Sequence, residues 1–348
     1  MKPVRTFASD NHSAVHPHIL DYLQKINEQG HAPSYTGDPV TIKAQSLFRD
    51  IFGKGAQVVF VPSGTGANIL ALKVLLQQPY EALVCTNVSH VFEEETGAVS
   101  ASIGRHIFTL PHIAGKISLD DLQAEVAFRR SLGFHSPLPK VVSIACTTEY
   151  GTFYTLQEIR AIADFCHKND LYLHLDGCRL PNAIAALGCS LQEYTSSAGV
   201  DVLSFGGAKN GLMSAEAVVV FNAPKTDLLR MQKQAMQLVS KMRYVSGQFV
   251  PYLERDLWLR NARHANELAK RLGDGLKTKL GSAVSFTQPV ATNQVFCILP
   301  PTIKTKLRSA GHEFYDWNSP GEVRFVTSWD NTDEDVDGLL SLVNIGQS

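Results

Sequence analysis

Strand-like and helix-like patterns alternate from about residue 40 to residue 222, which predicts an α/β protein with a mostly parallel central sheet covered on both faces by helices. Two further observations complete that expectation. The stretch from Lys225 to Lys279 is helical by pattern, with a break near Ser246-Gly247 and Pro251. From about Val284 short strands separated by helices predict a small α+β C-terminal unit. The expected division is an N-terminal arm over 1–12, a large domain over 13–250 and a small domain over 251–348.

The elements follow from local pattern. Gln57 to Pro62 is β-rich and runs into a helix over Ala67 to Leu76. Ala82 to Thr86 reads as a strand, followed by a helix starting near Val91, and Arg105 to Leu110 is again strand-like. Ser118 is a suitable N-cap for a helix over Leu119 to Arg130. A strand over Val141 to Cys146 and a helix over Leu156 to Lys168 come next. Apolar strands over Leu171 to Gly177, Val200 to Phe205 and Ala217 to Phe221 complete the large domain. In the small domain Gln294 to Leu299, Glu313 to Tyr315 and Val323 to Thr327 are strand-like.

Composition narrows the function classes. Of 348 residues, 44% are hydrophobic and 19% charged, ordinary for a soluble globular chain. A net charge of −1 without basic or acidic blocks gives no sign of nucleic acid or a membrane surface. The six cysteines form no C-x-x-C pair and read as free thiols, so neither a disulfide framework nor a metal site is expected. Met1 to Phe7 lacks the apolar core of a secretory signal and no apolar run approaches membrane-spanning length, so the cytoplasm is the expected compartment.

The chemistry concentrates at predicted strand ends, where ligands bind in such sheets. Lys209 follows an apolar strand within Ser204-Phe205-Gly206-Gly207-Ala208-Lys209-Asn210-Gly211. Desolvation there would favour its neutral, nucleophilic form. Asp176 ends the strand before it. A strand-end lysine and a strand-end carboxylate are what pyridoxal 5'-phosphate requires, one for a Schiff base and one to keep the pyridine nitrogen protonated. Ser63, Gly64 and Thr65, between a strand and a helix, form a candidate phosphate cup of backbone N–H groups and hydroxyls, although a tight structural turn would look the same. His90 could stack on the cofactor ring or handle protons, and the glutamates after it would suit a helix dipole. Glu149 would project into the same rim as Asp176. Arg179 can reach a carboxylate or the cofactor's phenolic oxygen. Arg324, a charge inside an apolar strand, needs a partner, either a substrate carboxylate or an internal acid.

Together these segments resemble the low-specificity L-threonine aldolases of the β-eliminating lyase group. The matches run from Phe7-Ala8-Ser9-Asp10-Asn11 through Ser63 to Asn68, His90 to Gly97, Thr148 to Thr152, Asp176 to Ala183, Phe205 to Gly211 and Ser240 to Arg243, and end with Arg324 to Asp330. The resemblance implies the fold type I of pyridoxal phosphate enzymes, the aspartate aminotransferase-like or PLP-dependent transferase-like fold. It implies retro-aldol cleavage of L-threonine, L-allo-threonine and related β-hydroxy-α-amino acids to glycine and an aldehyde. Lys209 would carry the cofactor, Asp176 would pair with its pyridine nitrogen, and Gly64 and Thr65 would hold the phosphate. His90 would stack on the ring, and Ser9, Arg179 and Arg324 would grip the substrate carboxylate. Arg243 would reach a phosphate, of its own or a neighbouring subunit, and shared sites imply a homodimer or homotetramer.

Many members of that group carry histidine where Glu149 stands, and this chain matches a second branch with Thr-Glu-x-Gly-Thr. The base for the β-hydroxyl is therefore His90, Glu149 through a water, or water itself. Cys178 replaces the usual alanine of Asp-Gly-Ala-Arg. The rivals are an aromatic amino acid β-lyase or an aminotransferase on the same scaffold, and a pyridoxal phosphate-binding protein without turnover.

Overall fold

The structure, a computed structural model, describes residues 5–344, so the first four residues of the expected N-terminal arm lie outside the described residues. Seven strands form the large sheet: β1 (Gln57–Val61), β2 (Glu81–Thr86), β3 (His106–Leu110), β4 (Leu138–Ala145), β5 (Tyr172–Gly177), β6 (Val202–Phe205) and β7 (Glu216–Val220). Their order is β1-β7-β6-β5-β4-β2-β3. Only β7 runs against its neighbours β1 and β6. The sheet is the predicted α/β arrangement, and the predicted strands match within a few residues at each end.

Alternation along β1 divides the core. Val58 and Phe60 join the cluster on one face, and Val59 and Val61 join that on the other. On the second face lies the helix Gly64–Leu75, buried at nearly every position from Gly66 onward. Its all-round apolar surface is that of a helix enclosed by protein. On the first face Phe48 lies within 5.8 Å, centroid to centroid, of Phe52, Phe60, Phe205 and Phe249.

The second sheet comprises β8 (Ser285–Phe286), β9 (Gln294–Ile298), β10 (Tyr315–Asp316) and β11 (Glu322–Val326), antiparallel in the order β10-β11-β9-β8. The helix Leu257–Leu280 links the two cores, with Leu257 and Trp258 in the large one and Leu268 to Leu280 in the small one. At about 1.5 Å per residue it spans about 36 Å. Phe7 is buried in the small core, and its carbonyl accepts from the Val326 N–H at 2.8 Å.

Three features depart from the sequence expectation. The stretch expected to be helical from Lys225 to Lys279 is four helices, Leu228–Gln234, Arg243–Ser246, Phe249–Glu254 and Leu257–Leu280. Met236 and Asp256, with φ of 61° and 51°, interrupt the helical backbone. The helix expected from Val91 stops at Glu93, because Thr96 and Gly97 also take positive φ, and resumes as Ala98–Ile103. Two helices, Pro17–Glu28 and Pro39–Phe52, precede the alternating region, each with proline in its first turn. Asp38 caps the second through the Thr41 N–H at 2.8 Å.

Replacing Phe48 by alanine removes the ring that touches four others, and should cost about 3–5 kcal/mol. Chemical denaturation of the Phe48→Ala protein against the parent, followed by circular dichroism, measures that loss.

Candidate active site

Every strand of the large sheet but β7 runs in one direction, so their carboxyl ends open on one edge. The loop after β1 turns into the helix Gly64–Leu75, where the Ser63 hydroxyl accepts from the Gly66 N–H at 3.1 Å. As N-cap it answers one orphan donor, and the N–H groups of Gly64 and Thr65 have no acceptor within the helix. A Cβ on Gly64 would meet nothing within 4 Å, so the approach to these donors is open.

After β2 comes His90, whose Nδ1–H donates to Glu95 Oε1 at 3.0 Å. The Asn68 side-chain amide donates to that same Glu95 oxygen at 2.9 Å and to Asp176 Oδ2 at 2.8 Å. A continuous polar chain thus joins His90, Glu95, Asn68 and Asp176. The positive φ at Thr96 and Gly97 that ends the helix also leaves Glu95 turned inward and buried. Glu95 lies past the first helical turn, so the dipole role expected of the glutamates does not describe it. Its hydrogen bond lifts the His90 pKa, against the opposing pull of burial, and Asp176 adds to the rise.

Asp176 ends β5, is buried, and accepts from the Cys178 N–H at 3.0 Å. Burial alone would raise its pKa. His90, His174, the Asn68 amide and Lys209 together outweigh that and hold it below the usual carboxylate range. His174, two residues earlier, lies between the Ser143 and Ser204 hydroxyls at 2.9 and 3.0 Å, and burial drives its pKa down to about 4.

Lys209 sits after β6 on a short turn, Ala208–Asn210, and is half-buried. Gly206 and Gly207 precede it because no side chain fits. A Cβ on Gly206 would lie 2.3 Å from the Cys178 carbonyl oxygen, and one on Gly207 2.5 Å from that of Ala215. Lys209 and His90 line two adjoining chambers. The inner one is also lined by Gly64, Asn68, Glu95, Asp176 and Glu216. The outer one, about 240 Å³, is lined by Ser9, Glu149, Arg179, Gln294, Trp317 and Arg324 among others.

In the outer chamber Glu149 Oε1 accepts from the His90 backbone N–H at 2.8 Å. Burial pushes the Glu149 acid up to about 7, only partly offset by backbone donors and His90. The two arginines differ. Arg179 donates from both arms to Asp10, at 2.6 and 2.8 Å, so an internal acid answers its charge. Arg324 lies over the Trp317 ring at 4.4 Å, its Nε is buried without a hydrogen-bond partner, and no ion pair reaches it among the described residues. Burial pushes its pKa down to about 10, and Arg179 adds to the fall. Ser9 lines this chamber with its hydroxyl accepting from the Asn11 N–H at 3.2 Å. Ser63 and Thr65 are both exposed and flank Gly64, which lines the inner chamber where they do not. Arg243 lines neither chamber. It borders a separate hollow with His31, Ser34 and Lys241, donating to the Gly30 carbonyl at 2.8 Å.

The sequence alone assigns no role to Asn68, Glu95, Glu216, Asp10 or Trp317. A signal exists only for Glu95, whose neighbours Thr96-Gly97 mark a turn, and for Asn68, which closes the glycine-rich loop.

Pyridoxal 5'-phosphate needs an amine, an anion for its ring nitrogen and donors for its phosphate. The inner chamber offers Lys209, a charged Asp176 and the open N–H groups at Gly64 and Thr65. Asn68 Oδ1 and Glu95 Oε2 are buried there without partners. The residues present fit the cofactor, and fold and site together define a pyridoxal phosphate-dependent lyase. Residues 6–299 match the model of the family described as beta-eliminating lyase. The chain belongs to that family. It is 39% identical to a low specificity L-threonine aldolase of a Pseudomonas species, covering 96% of both chains, and 38% identical to that of Pseudomonas aeruginosa, covering 95% of this chain and 94% of the other. The structure of Leishmania major threonine aldolase superposes with a TM-score of 0.91 at 29% identity, covering 98% of both.

Replacing Glu95 by glutamine removes the interaction that contributes most to the raised His90 pKa. An NMR titration of the His90 imidazole in Glu95→Gln should show its midpoint displaced to lower pH.

Proposed function

We propose that this chain cleaves L-threonine, L-allo-threonine and related β-hydroxy-α-amino acids between Cα and Cβ, giving glycine and an aldehyde. The observation that carries the reading is Arg324, a half-buried arginine whose Nε is buried without a partner and which no acid pairs among the described residues, in the same chamber as Lys209 and Glu149. A substrate α-carboxylate is the missing partner. The names of the Pseudomonas and Leishmania relatives support the same reaction.

Pyridoxal phosphate, when bound, supplies the electron sink for the pair released from the broken bond. The protein does the rest. Lys209 would bond the cofactor, and Asp176 would set a negative charge against its ring nitrogen. Gly64 and Thr65 hold the phosphate through their N–H groups, with the Ser63 hydroxyl bracing the turn. Arg324 fixes the substrate carboxylate and thereby sets which bond at Cα is presented for cleavage. Arg179 serves that carboxylate and the cofactor's phenolic oxygen from its Asp10-braced position, with Ser9 beside it. Glu149, with a pKa near 7, takes the β-hydroxyl proton. His90, its pKa raised by the Glu95 hydrogen bond, would lie against the ring from its place in both chambers. Glycine forms when Cα regains a proton.

The same reading includes assembly as a dimer or tetramer in the cytoplasm. Arg243, outside both chambers, would serve a neighbouring subunit's phosphate. Phe92 and Met213, at 39% and 51% exposure, leave apolar surface beside the His90 and Lys209 loops for such a neighbour to cover.

The holoenzyme given L-threonine should release glycine and acetaldehyde in equal amounts. Pyruvate and ammonia instead would overturn the assignment in favour of β-elimination. Lys209→Ala should lose both the covalently bound cofactor's absorbance and turnover. Because the base must be ionised, kcat/KM should rise with pH through about 7. Glu149→Gln should lose that rise together with about 10²–10⁴-fold in kcat, as a pH–rate profile would record.

A further inference from the structure

Lys209 reaches the inner chamber from a turn that is fastened on both sides. After the lysine, the Asn210 side-chain amide donates to the Tyr252 hydroxyl at 2.7 Å and to the Trp258 carbonyl at 2.8 Å. Asn261 donates back to the Asn210 carbonyl at 2.9 Å. Before the lysine, one side chain does the fastening. Glu216, the first residue of β7, accepts from the Gly207 N–H through Oε2 at 2.6 Å and from the Ala208 N–H through Oε1 at 3.4 Å. Glu216 is buried and also lines the inner chamber beside Lys209. A carboxylate is a costly group to enclose. Its two oxygens answer two separate N–H groups, an arrangement that a single amide oxygen does not reproduce.

Burial raises its acid to about 7, against the lowering effect of Gly207, Lys209 and Ala208. The surroundings therefore tolerate its charge rather than stabilise it, as expected of a group kept for its effect on a neighbour. Gly207 is closely packed, with no room for a side chain. A Cβ there would lie 2.4 Å from the Leu212 side chain and 2.5 Å from the Ala215 carbonyl oxygen, so the turn has no slack on its other side.

We propose that Glu216 is a positioning residue for Lys209: its carboxylate grips the two peptide N–H groups immediately before the lysine and so aims the amine at the cofactor's aldehyde carbon. The inference rests on the inner chamber being the cofactor's seat. It predicts a selective defect. Condensation of the Lys209 amine with the aldehyde, with loss of water, needs the lysine aimed, whereas simple occupancy of the chamber does not.

Glutamine is the informative replacement, since it keeps the size but turns an NH₂ donor toward at least one of the two N–H groups. The test measures two ligands on the same protein. Pyridoxal 5'-phosphate can bond to Lys209, and pyridoxamine 5'-phosphate, which has no aldehyde, cannot. Glu216→Gln should slow the appearance of the bonded-cofactor absorbance at least about tenfold in stopped flow and weaken pyridoxal 5'-phosphate binding to match. Its Kd for pyridoxamine 5'-phosphate should stay within about twofold of the parent's. Equal weakening of both ligands would overturn the proposal, since Glu216 would then shape the whole chamber. An unchanged rate would overturn it as well. If Glu216→Gln does not fold, Glu216→Asp takes its place, because it retains the charge but withdraws it by one methylene. The same two ligands are then measured, and the same outcomes support or overturn the proposal. A parent protein that binds neither compound would instead refute the cofactor assignment itself.

Discussion

A charged carboxylate in the interior costs several kcal/mol unless its surroundings answer it, and the site is organised around that requirement at Asp176. Its two oxygens take one donor each, from Asn68 and from the Cys178 peptide. Two histidines and a lysine complete the compensation. Asn68 cannot serve Asp176 without also serving Glu95, and Glu95 cannot accept from Asn68 without bearing on His90. One buried charge thereby sets the protonation of a ring on the far side of the chamber. The chain is continuous from His90 to Asp176, while Asn68 Oδ1 and Glu95 Oε2 stay unpartnered within it.

The outer chamber is a compromise among three separated stretches of chain. Asp10 comes from the N-terminal segment, Arg179 from the end of β5 and Asn293 from the small sheet's edge, and they meet through Asp10, which accepts from both others. That buried arginine is neutralised from within. Arg324, on β11, is left with aromatic faces alone. The contrast between the two guanidinium groups gives the chamber its polarity: one braces the wall, and the other retains unsatisfied capacity for an anion.

Much of this architecture is legible in the linear chain, for reasons that are local. Strands buried on both faces read as continuous apolar runs, as over Ala82 to Cys85 of β2, and the residues at the carboxyl ends of parallel strands share one edge. Lys209, Asp176, His90 and Glu149 stand out for that reason. Pairings between distant segments are not legible by the same means. Nothing in the sequence around Arg179 names Asp10 as its partner, and nothing around Lys209 distinguishes Glu216 from an ordinary strand-initiating residue. Glu95 is hidden among three consecutive glutamates, and only the backbone reversal after it selects the one that turns inward. Helical pattern also misleads between Lys225 and Leu280, where side-chain periodicity persists across backbone breaks at Met236 and Asp256.

The reversed direction of β7 has a consequence for how the site assembles. Because β6 and β7 are adjacent and antiparallel, the nucleophile's turn and the carboxylate that grips it belong to a single hairpin, with the bonded Gly207 and Glu216 only nine positions apart. Closing so short a loop carries little entropic penalty, and such local contacts form early relative to distant ones. The fastening before the lysine is thus specified by chain-neighbour geometry, whereas that after it reaches Tyr252, Trp258 and Asn261. Asp176, by contrast, finds its Asn68 donor 108 positions away, and Arg324 meets the other walls of the outer chamber only across the fold. The lysine's turn thus has half its anchorage built into one hairpin and half borrowed from distant helices.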